Sequence, residues 1–414
     1  MTPTAHIRMA DAGDLYLWWR WENHTAAPGI GVVPEAQLRA VLDELTAALP
    51  DPATPGSLEN ALTAGALADP DREQHLAEQL ARAFLPYNLA VALHELMTSG
   101  IRPHLRIQPA PRVAQVPWEL LAPDPAIRLI EIADLSLLPP VSVVRAREPR
   151  PWNPALPVVA VLDPRVPGFR ADSALGSVLG RPDPATPVAR RVAEYAATGR
   201  LAPAAATPAD AFRRTDLDRD LLGELLRAGA SRLLYVGHVT AAAPESGRSE
   251  EAALHLACPA ELPGFAAPLR THRPFTAKDL LLGSHTRDPD PQPGTRLWPI
   301  PARVALIACE SGGDLRFGEA LGLVTAMIAG GAELVTACRW PLPTDLAVQR
   351  LAGAPATATP LQDTICAIDT AHEHPDPVAA HADWQRTRLT AWRTTPSPAT
   401  APVLWAAPAT VYST

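Results

Sequence analysis

The sequence predicts an α/β protein, a mostly parallel sheet covered by helices on both faces, with a smaller hairpin-and-helices subdomain ahead of it. Short apolar runs recur at 103–108, 158–162, 232–236, 304–308, 333–337 and 403–411, each bounded by Pro or Gly. Stretches with helical periodicity lie between several of them, at 187–197, 217–228, 277–282 and 317–329. Runs without polar alternation read as strands buried on both faces, and strands separated by helices read as parallel. The chain has 414 residues, enough for two or three domain-sized units and a sizeable core.

In chain order, residues 6–22 alternate loosely and are rich in aromatics (Tyr16, Trp18, Trp19, Trp21). With Ala12-Gly13-Asp14 as a turn, they read as a hairpin. Residues 34–49 place Leu38, Val41, Leu42, Leu45 and Leu49 at helical spacing, and 71–98 repeat the pattern with a longer stripe. A Pro-rich joint at 51–56 separates the two. The expected division is a subdomain at 1–100 and a larger domain at 101–414. Gly29-Ile30-Gly31 lacks the third glycine and the preceding strand of a dinucleotide loop.

Composition removes several chemistries. Of 36 basic residues, Lys278 is the one lysine and the other 35 are arginine. Lys278 lies in Thr276-Ala277-Lys278-Asp279, so no Walker phosphate loop exists, and imine chemistry would have to use this residue. Thr276 and Asp279 instead read as a capping box, which puts Lys278 in the first turn of a connecting helix. The net charge of −8 argues against nucleic acid or an anionic membrane as partner. The apolar stretch 320–332 is too short to span a bilayer, and the first residues do not resemble a secretory signal. Cys258, Cys309, Cys338 and Cys366 are too few and scattered for a disulfide framework, so a reducing, cytoplasmic location is expected. His372, Glu373, His374, Asp376 and His381 cluster in sequence, but Pro375 and Pro377 prevent a helix from presenting them on one face. No metal and no cofactor is expected.

In parallel sheets the chemistry collects where strands end. The run 232–236 ends in Gly237-His238, and the run 304–308 ends in Cys309-Glu310-Ser311-Gly312-Gly313, followed by the expected helix at 317–329. An imidazole and a thiol on one sheet edge can form a nucleophile and its base. A helix N-terminus would stabilise the thiolate, and Gly312 and Gly313 would let backbone N–H groups surround a carbonyl oxygen. A strand-end Cys is equally consistent with a small buried hydrophobe, and Cys338 is read that way. Asp163, which ends the run 158–162, and Glu310 are candidates to line a pocket for a basic side chain. Asp163 is equally consistent with a plain Asp-Pro turn.

Residues 232–239 and 302–345 resemble the two signature blocks of the CHAT family of caspase-like, clan CD cysteine peptidases. The second block reads Leu306-Ile307-Ala308-Cys309-Glu310-Ser311-Gly312-Gly313, then Ala329-Gly330-Gly331-Ala332, the strand 333–337, Trp340-Pro341 and Asp345. Val116-Pro117-Trp118-Glu119, Phe275-Thr276-Ala277-Lys278-Asp279-Leu280 and Ala401-Pro402-Val403-Leu404-Trp405 resemble three further blocks. The resemblance implies a caspase-like α/β/α sandwich over 101–414, with His238 as base and Cys309 as nucleophile. It implies an oxyanion hole from the Cys309 N–H and an N–H beside His238, at Gly237 or Val239. Trp340 joins Asp163 and Glu310 as a pocket candidate. The implied function is a cysteine endopeptidase acting on a protein or peptide through a thioester, switched on by a protein partner in bacterial conflict or cell death. Two features depart from the family. Val239 stands where glycine usually follows the histidine, and residues 283–301 form a long Pro-rich loop that reads as a lid or a passive surface segment. The alternatives are a catalytically decayed CHAT-like interaction module and an unrelated cysteine hydrolase on a similar sheet.

Overall fold

The computed structural model describes residues 2–146, 148–284 and 292–413. Its strands are β1 (Thr4–Ala12), β2 (Asp14–Glu22), β3 (Gly29–Val33), β4 (His104–Gln108), β5 (Asp134–Leu137), β6 (Val158–Leu162), β7 (Leu201–Ala202), β8 (Arg232–Val236), β9 (Val239–Thr240), β10 (Ala253–Leu254), β11 (Phe275–Thr276), β12 (Arg303–Ile307), β13 (Leu334–Cys338) and β14 (Pro408–Tyr412). Among the described residues, eleven form one sheet in the order β3-β2-β1-β4-β5-β14-β13-β12-β8-β6-β7, and β11-β10-β9 form a second, three-stranded sheet. The β1–β3 pairings and the β13/β14 pair are antiparallel, and the other neighbours in the large sheet run parallel. The expected mostly parallel sheet with helices on both faces is what the chain forms.

The strands β6, β8, β12 and β13 are buried at every position because both faces are covered, whereas β4 alternates between buried and half-buried. On one face Val159, Val161, Leu233, Tyr235, Val304 and Leu306 join a core that includes residues of the helices Arg219–Arg227, Ala277–Leu282 and Leu323–Ala329. On the other, Val158, Ala160, Leu162, Leu234, Val236, Ala305 and Ile307 meet the helices Pro187–Ala197 and Pro360–Ala371. Side chains alternate across a strand, so five consecutive apolar residues fill two cores.

The first hundred residues contribute to the same sheet. β1 and β2 form the expected hairpin, with Gly13 at φ +90° in the turn, and β1 pairs in parallel with β4. β3 has an inverted pattern. Gly29 and Gly31 face inward, where a Cβ would lie 2.2 Å from the Trp19 ring or 2.8 Å from Pro86. Ile30 and Val32 face solvent opposite Trp18 and Tyr16, and Ile30 is 68% exposed.

Four expectations need correction. The stripe at 71–98 is two helices, Pro70–Phe84 and Tyr87–Thr98, because Pro86 cannot continue a helix. The run 403–411 opens as a short helix, Pro402–Trp405, before β14. The helix expected at 317–329 begins only at Leu323. Glycines at 312, 313, 318 and 322 each oppose helix by about 1 kcal/mol, and the segment forms a single 3-10 turn, Gly313–Arg316. Of the Pro-rich loop, residues 285–291 lie outside the described residues. The remainder carries a short helix, Gly294–Leu297, and buries Trp298 and Ile300. The capping box forms as expected, with Thr276 and Asp279 satisfying each other's backbone N–H.

Candidate active site

β8 and β12 are parallel neighbours, and Val236 pairs with Ile307. His238 and Cys309 each stand two residues past those partners, so equal strand lengths deliver an imidazole and a thiol to one edge of the sheet. Both side chains are half-buried. The Cys309 thiol points to the Leu342 carbonyl at 4.0 Å, and the His238 Nε2–H donates to the Gly176 carbonyl at 3.0 Å. No hydrogen bond joins Cys309 to His238 among the described residues. A carbonyl only accepts, so the proton is assigned to Nε2 and the Nδ1 lone pair is left for a base. Burial lowers the His238 pKa, opposed by the Gly176 carbonyl and Asp163. Burial also pushes the Cys309 thiol above its ordinary value, and Glu310 adds to the rise. The pair rests neutral.

The support for His238 comes from loops. Asp163 ends β6 in the left-handed region at φ +51°, and its N–H donates to Val236 at 2.6 Å. Its buried carboxylate accepts from Ser177 Oγ, the N–H groups of Val178 (3.2 Å) and Leu179 (3.4 Å), and Arg213 (3.2 Å). Arg213 also donates to the Gly176 carbonyl at 3.1 Å, so that oxygen serves both the guanidinium and the imidazole. The basic group that Asp163 holds is therefore the chain's own. Gly176 has no room for a side chain, since a Cβ would sit 2.2 Å from the Ala171 carbonyl. Sequence reading missed Gly176, Ser177 and Arg213, because loop residues carry no periodicity. The one available signal was a Gly-Ser step in a Pro/Gly-rich loop after a strand-end Asp.

The turn after Cys309 is stitched to β13. Glu310 takes φ +50°; Ser311 Oγ donates to Leu306 (2.6 Å) and accepts from the Cys338 N–H (2.9 Å). The Gly312 N–H donates to Cys338 and the Gly313 N–H to Glu310, both at 2.9 Å. These two amides are thus committed, contrary to expectation, and the helix after Cys309 starts too far along to act on the thiol. Asp314 ties the loop to that helix by accepting from the Thr325 N–H and hydroxyl, each at 3.0 Å. The Cys309 N–H lies against its own sulfur, and neither it nor the Glu310 N–H donates elsewhere among the described residues. The Gly237 N–H donates to Ile307 at 3.4 Å. For Val239, the His255 N–H to His238 carbonyl bond (3.1 Å) makes 238/255 a hydrogen-bonded pair. The next pair, Val239/Leu254, is then non-hydrogen-bonded, and the Val239 N–H points out of the sheet edge.

Cys309, Glu310, Val239 and Pro341 share a cleft of about 520 Å³ whose far wall comes from residues of 46–53. Glu310 pairs with Arg316 at 3.3 Å, and burial raises its carboxyl pKa. Trp340 is fully buried and donates to the Val403 carbonyl at 2.9 Å. Beside it Arg339 forks onto Glu119 (2.9 and 3.0 Å), which anchors the segment leading to Leu342. Cys338 is buried as core. The C-terminal histidines are separately engaged: His372 with Thr336 (2.8 Å) and His381 with Thr410 (3.2 Å), while Glu373 pairs with Arg191, Arg200 and Arg232. No group of three metal-ligating side chains occurs among the described residues, nor is any helix long and apolar enough to cross a membrane.

Comparison with curated proteins returned no match. Two solved structures of the Saccharomyces cerevisiae separase–securin complex are similar at TM-scores of 0.48 and 0.49, with 10% and 9% identity. They cover 99% of this chain, which spans only 30% of theirs. The CHAT domain matches residues 74–354, well over half the sequence, with His238, Cys309 and the segment ending in Leu342 inside that span. The chain belongs to the CHAT domain family.

Proposed function

We propose that this chain is a cysteine endopeptidase whose resting dyad is His238 and Cys309. The observation that carries the proposal is their equal placement beyond paired residues of two parallel strands, with one imidazole nitrogen already held by Gly176. On substrate binding the thiol leaves the Leu342 carbonyl and passes its proton to His238 Nδ1. The thiolate attacks the scissile carbonyl, and the N–H groups of Cys309 and Val239 receive the negative charge on oxygen. His238 then protonates the departing amine, which leaves a thioester. Water, deprotonated by His238, releases the acid and restores the thiol. Glu310 and Arg316 would meet the substrate side chain in the cleft. Regulation by a protein partner, and a role in bacterial conflict or cell death, are part of the same proposal and rest on family membership.

A thiol-reactive peptide electrophile tests it. Cys309 should be modified ahead of Cys366, the other half-buried thiol, whose pKa burial pushes up to about 12. His238→Ala should slow Cys309 modification by roughly 10²–10⁴, the usual worth of a general base. Equal, His238-independent labelling would instead favour a protein-interaction module with a decayed site, a reading to which Val239 and the separately held dyad contribute.

A further inference from the structure

Beside the dyad, two histidines that the mechanism does not use are completely buried. His255, next to β10, and His272, before β11, touch through His255 Nδ1 and His272 Nε2 at 3.0 Å. His272 Nδ1 meets the Cys258 carbonyl at 2.9 Å, and His255 Nε2 meets the Thr240 hydroxyl at 2.8 Å. The carbonyl has only lone pairs, so His272 Nδ1 carries the hydrogen. With both rings neutral, His272 Nε2 then accepts from His255 Nδ1–H, and His255 Nε2 accepts from the Thr240 hydroxyl. One proton arrangement satisfies every contact. A second proton on His272 would set N–H against N–H unless the whole row reversed and Thr240 became an acceptor.

This row ends on β9, the strand that carries the Val239 amide. The His255 backbone continues the attachment, because its N–H donates to the His238 carbonyl (3.1 Å) and to the Tyr235 hydroxyl (3.2 Å). That hydroxyl in turn donates to the His238 carbonyl at 2.6 Å. The charged or titratable groups acting on the two rings are His238 from the β8–β9 junction and Arg219 from the helix Arg219–Arg227. Both oppose a positive charge. No carboxylate faces the pair among the described residues, since Asp279 is turned to Arg219 at 3.4 Å.

We propose that His255 and His272 are positioning residues, a neutral buried pair that holds β9 and the His238 backbone in register and releases both when it takes up a proton. The proposal rests on the dyad reading for its consequence in catalysis, though not for its physical content. Nitrogen-15 spectra of the imidazoles should show both rings as Nδ1–H tautomers, and both neutral, at about pH 7. From about pH 7 to about pH 5, exchange of the Thr240 and Ala253 amides, which face each other across β9 and β10, should rise about tenfold beyond the intrinsic pH effect, while the helix Leu323–Ala329 stays protected. Substitution His272→Asn keeps a donor to Cys258 and removes one of the two titrating rings, so it should reduce this pH dependence to the part that His255 alone supplies. Thr240→Val, at an exposed position expected to fold, should loosen β9 already at neutral pH. Rings titrating near the free-imidazole value, or β9 protection that ignores pH in wild type, would overturn the proposal. If β9 loosens with acid but Cys309 never reacts with the peptide electrophile, the dyad reading fails and the positioning pair stands.

Discussion

His238 and Cys309 are each held by a carbonyl and not by one another, and this has a measurable signature. With the thiol pKa raised by burial and the imidazole pKa lowered, neither group is charged at neutral pH. The rate of Cys309 alkylation by a small reagent should therefore climb steadily with pH toward the alkaline range. A plateau below neutrality would reveal a preformed thiolate–imidazolium pair and contradict the resting arrangement. Asp163 acts one step further back. Asp163→Asn removes the charge that holds Arg213 and weakens the grip on the 176–179 loop, so the Gly176 carbonyl loses its second donor's support. Loss of the hydrogen bonds to this buried acceptor should cost about 1–3 kcal/mol in denaturant unfolding. Reaction of Cys309 with a peptide electrophile should fall as well. His238 and Cys309 were legible in sequence because they close strands that the composition makes unmistakable. Gly176 and Arg213 were not, since they converge from separate loops and nothing in their spacing records it.

At the scale of elements, the strands β6, β8, β12 and β13 were readable to within a residue because burial on both faces demands unbroken apolar runs. The two-residue strands β9–β11 are too short to carry a pattern, yet they hold the amide next to His238. The late start of the helix after Cys309 is the opposite case, an apolar stripe whose first part is interrupted by glycines that outweigh its periodicity. The Trp118-Glu119 motif also gains a physical meaning. Glu119 and Arg339 are both about 95% buried and bidentate, and they fasten the chain just after β13 where Leu342 faces the thiol. Glu119→Gln leaves a buried guanidinium without its counter-charge and should destabilise the protein by about 3–5 kcal/mol, read from the unfolding midpoint. A change under 1 kcal/mol would mean that Arg339 finds another acceptor.

At the scale of the whole molecule, burial drives the pKa values of four of the described histidines far down: His255 and His372 to about 3, and His381 and the half-buried His104 to about 4. In the unfolded chain each titrates near 6.5. Folded-state values below unfolded ones give stability that is complete above pH 6.5 and is lost as pH falls toward 4, by about 1.4 kcal/mol per unit for each group. Thermal unfolding should show a midpoint that already drops between pH 6.5 and about pH 5.5, above the ordinary carboxylate range, and a flat profile there would contradict the neutral burial. The large sheet runs through the first hundred residues and the family-matched region alike, a continuity hidden in sequence because β1 and β4 are separated by four α-helices. Lys278 lies half-buried on the helix Ala277–Leu282 with its ammonium 4.9 Å from the centre of the Phe265 ring, on the connection between β11 and β12. A lysine-specific endoprotease can cut this chain at one bond only, and that bond parts the fragment bearing His238 from the fragment bearing Cys309. Whether the two halves stay together after the cut is then a direct reading of how much of the molecule is held by the sheet and how much by the chain.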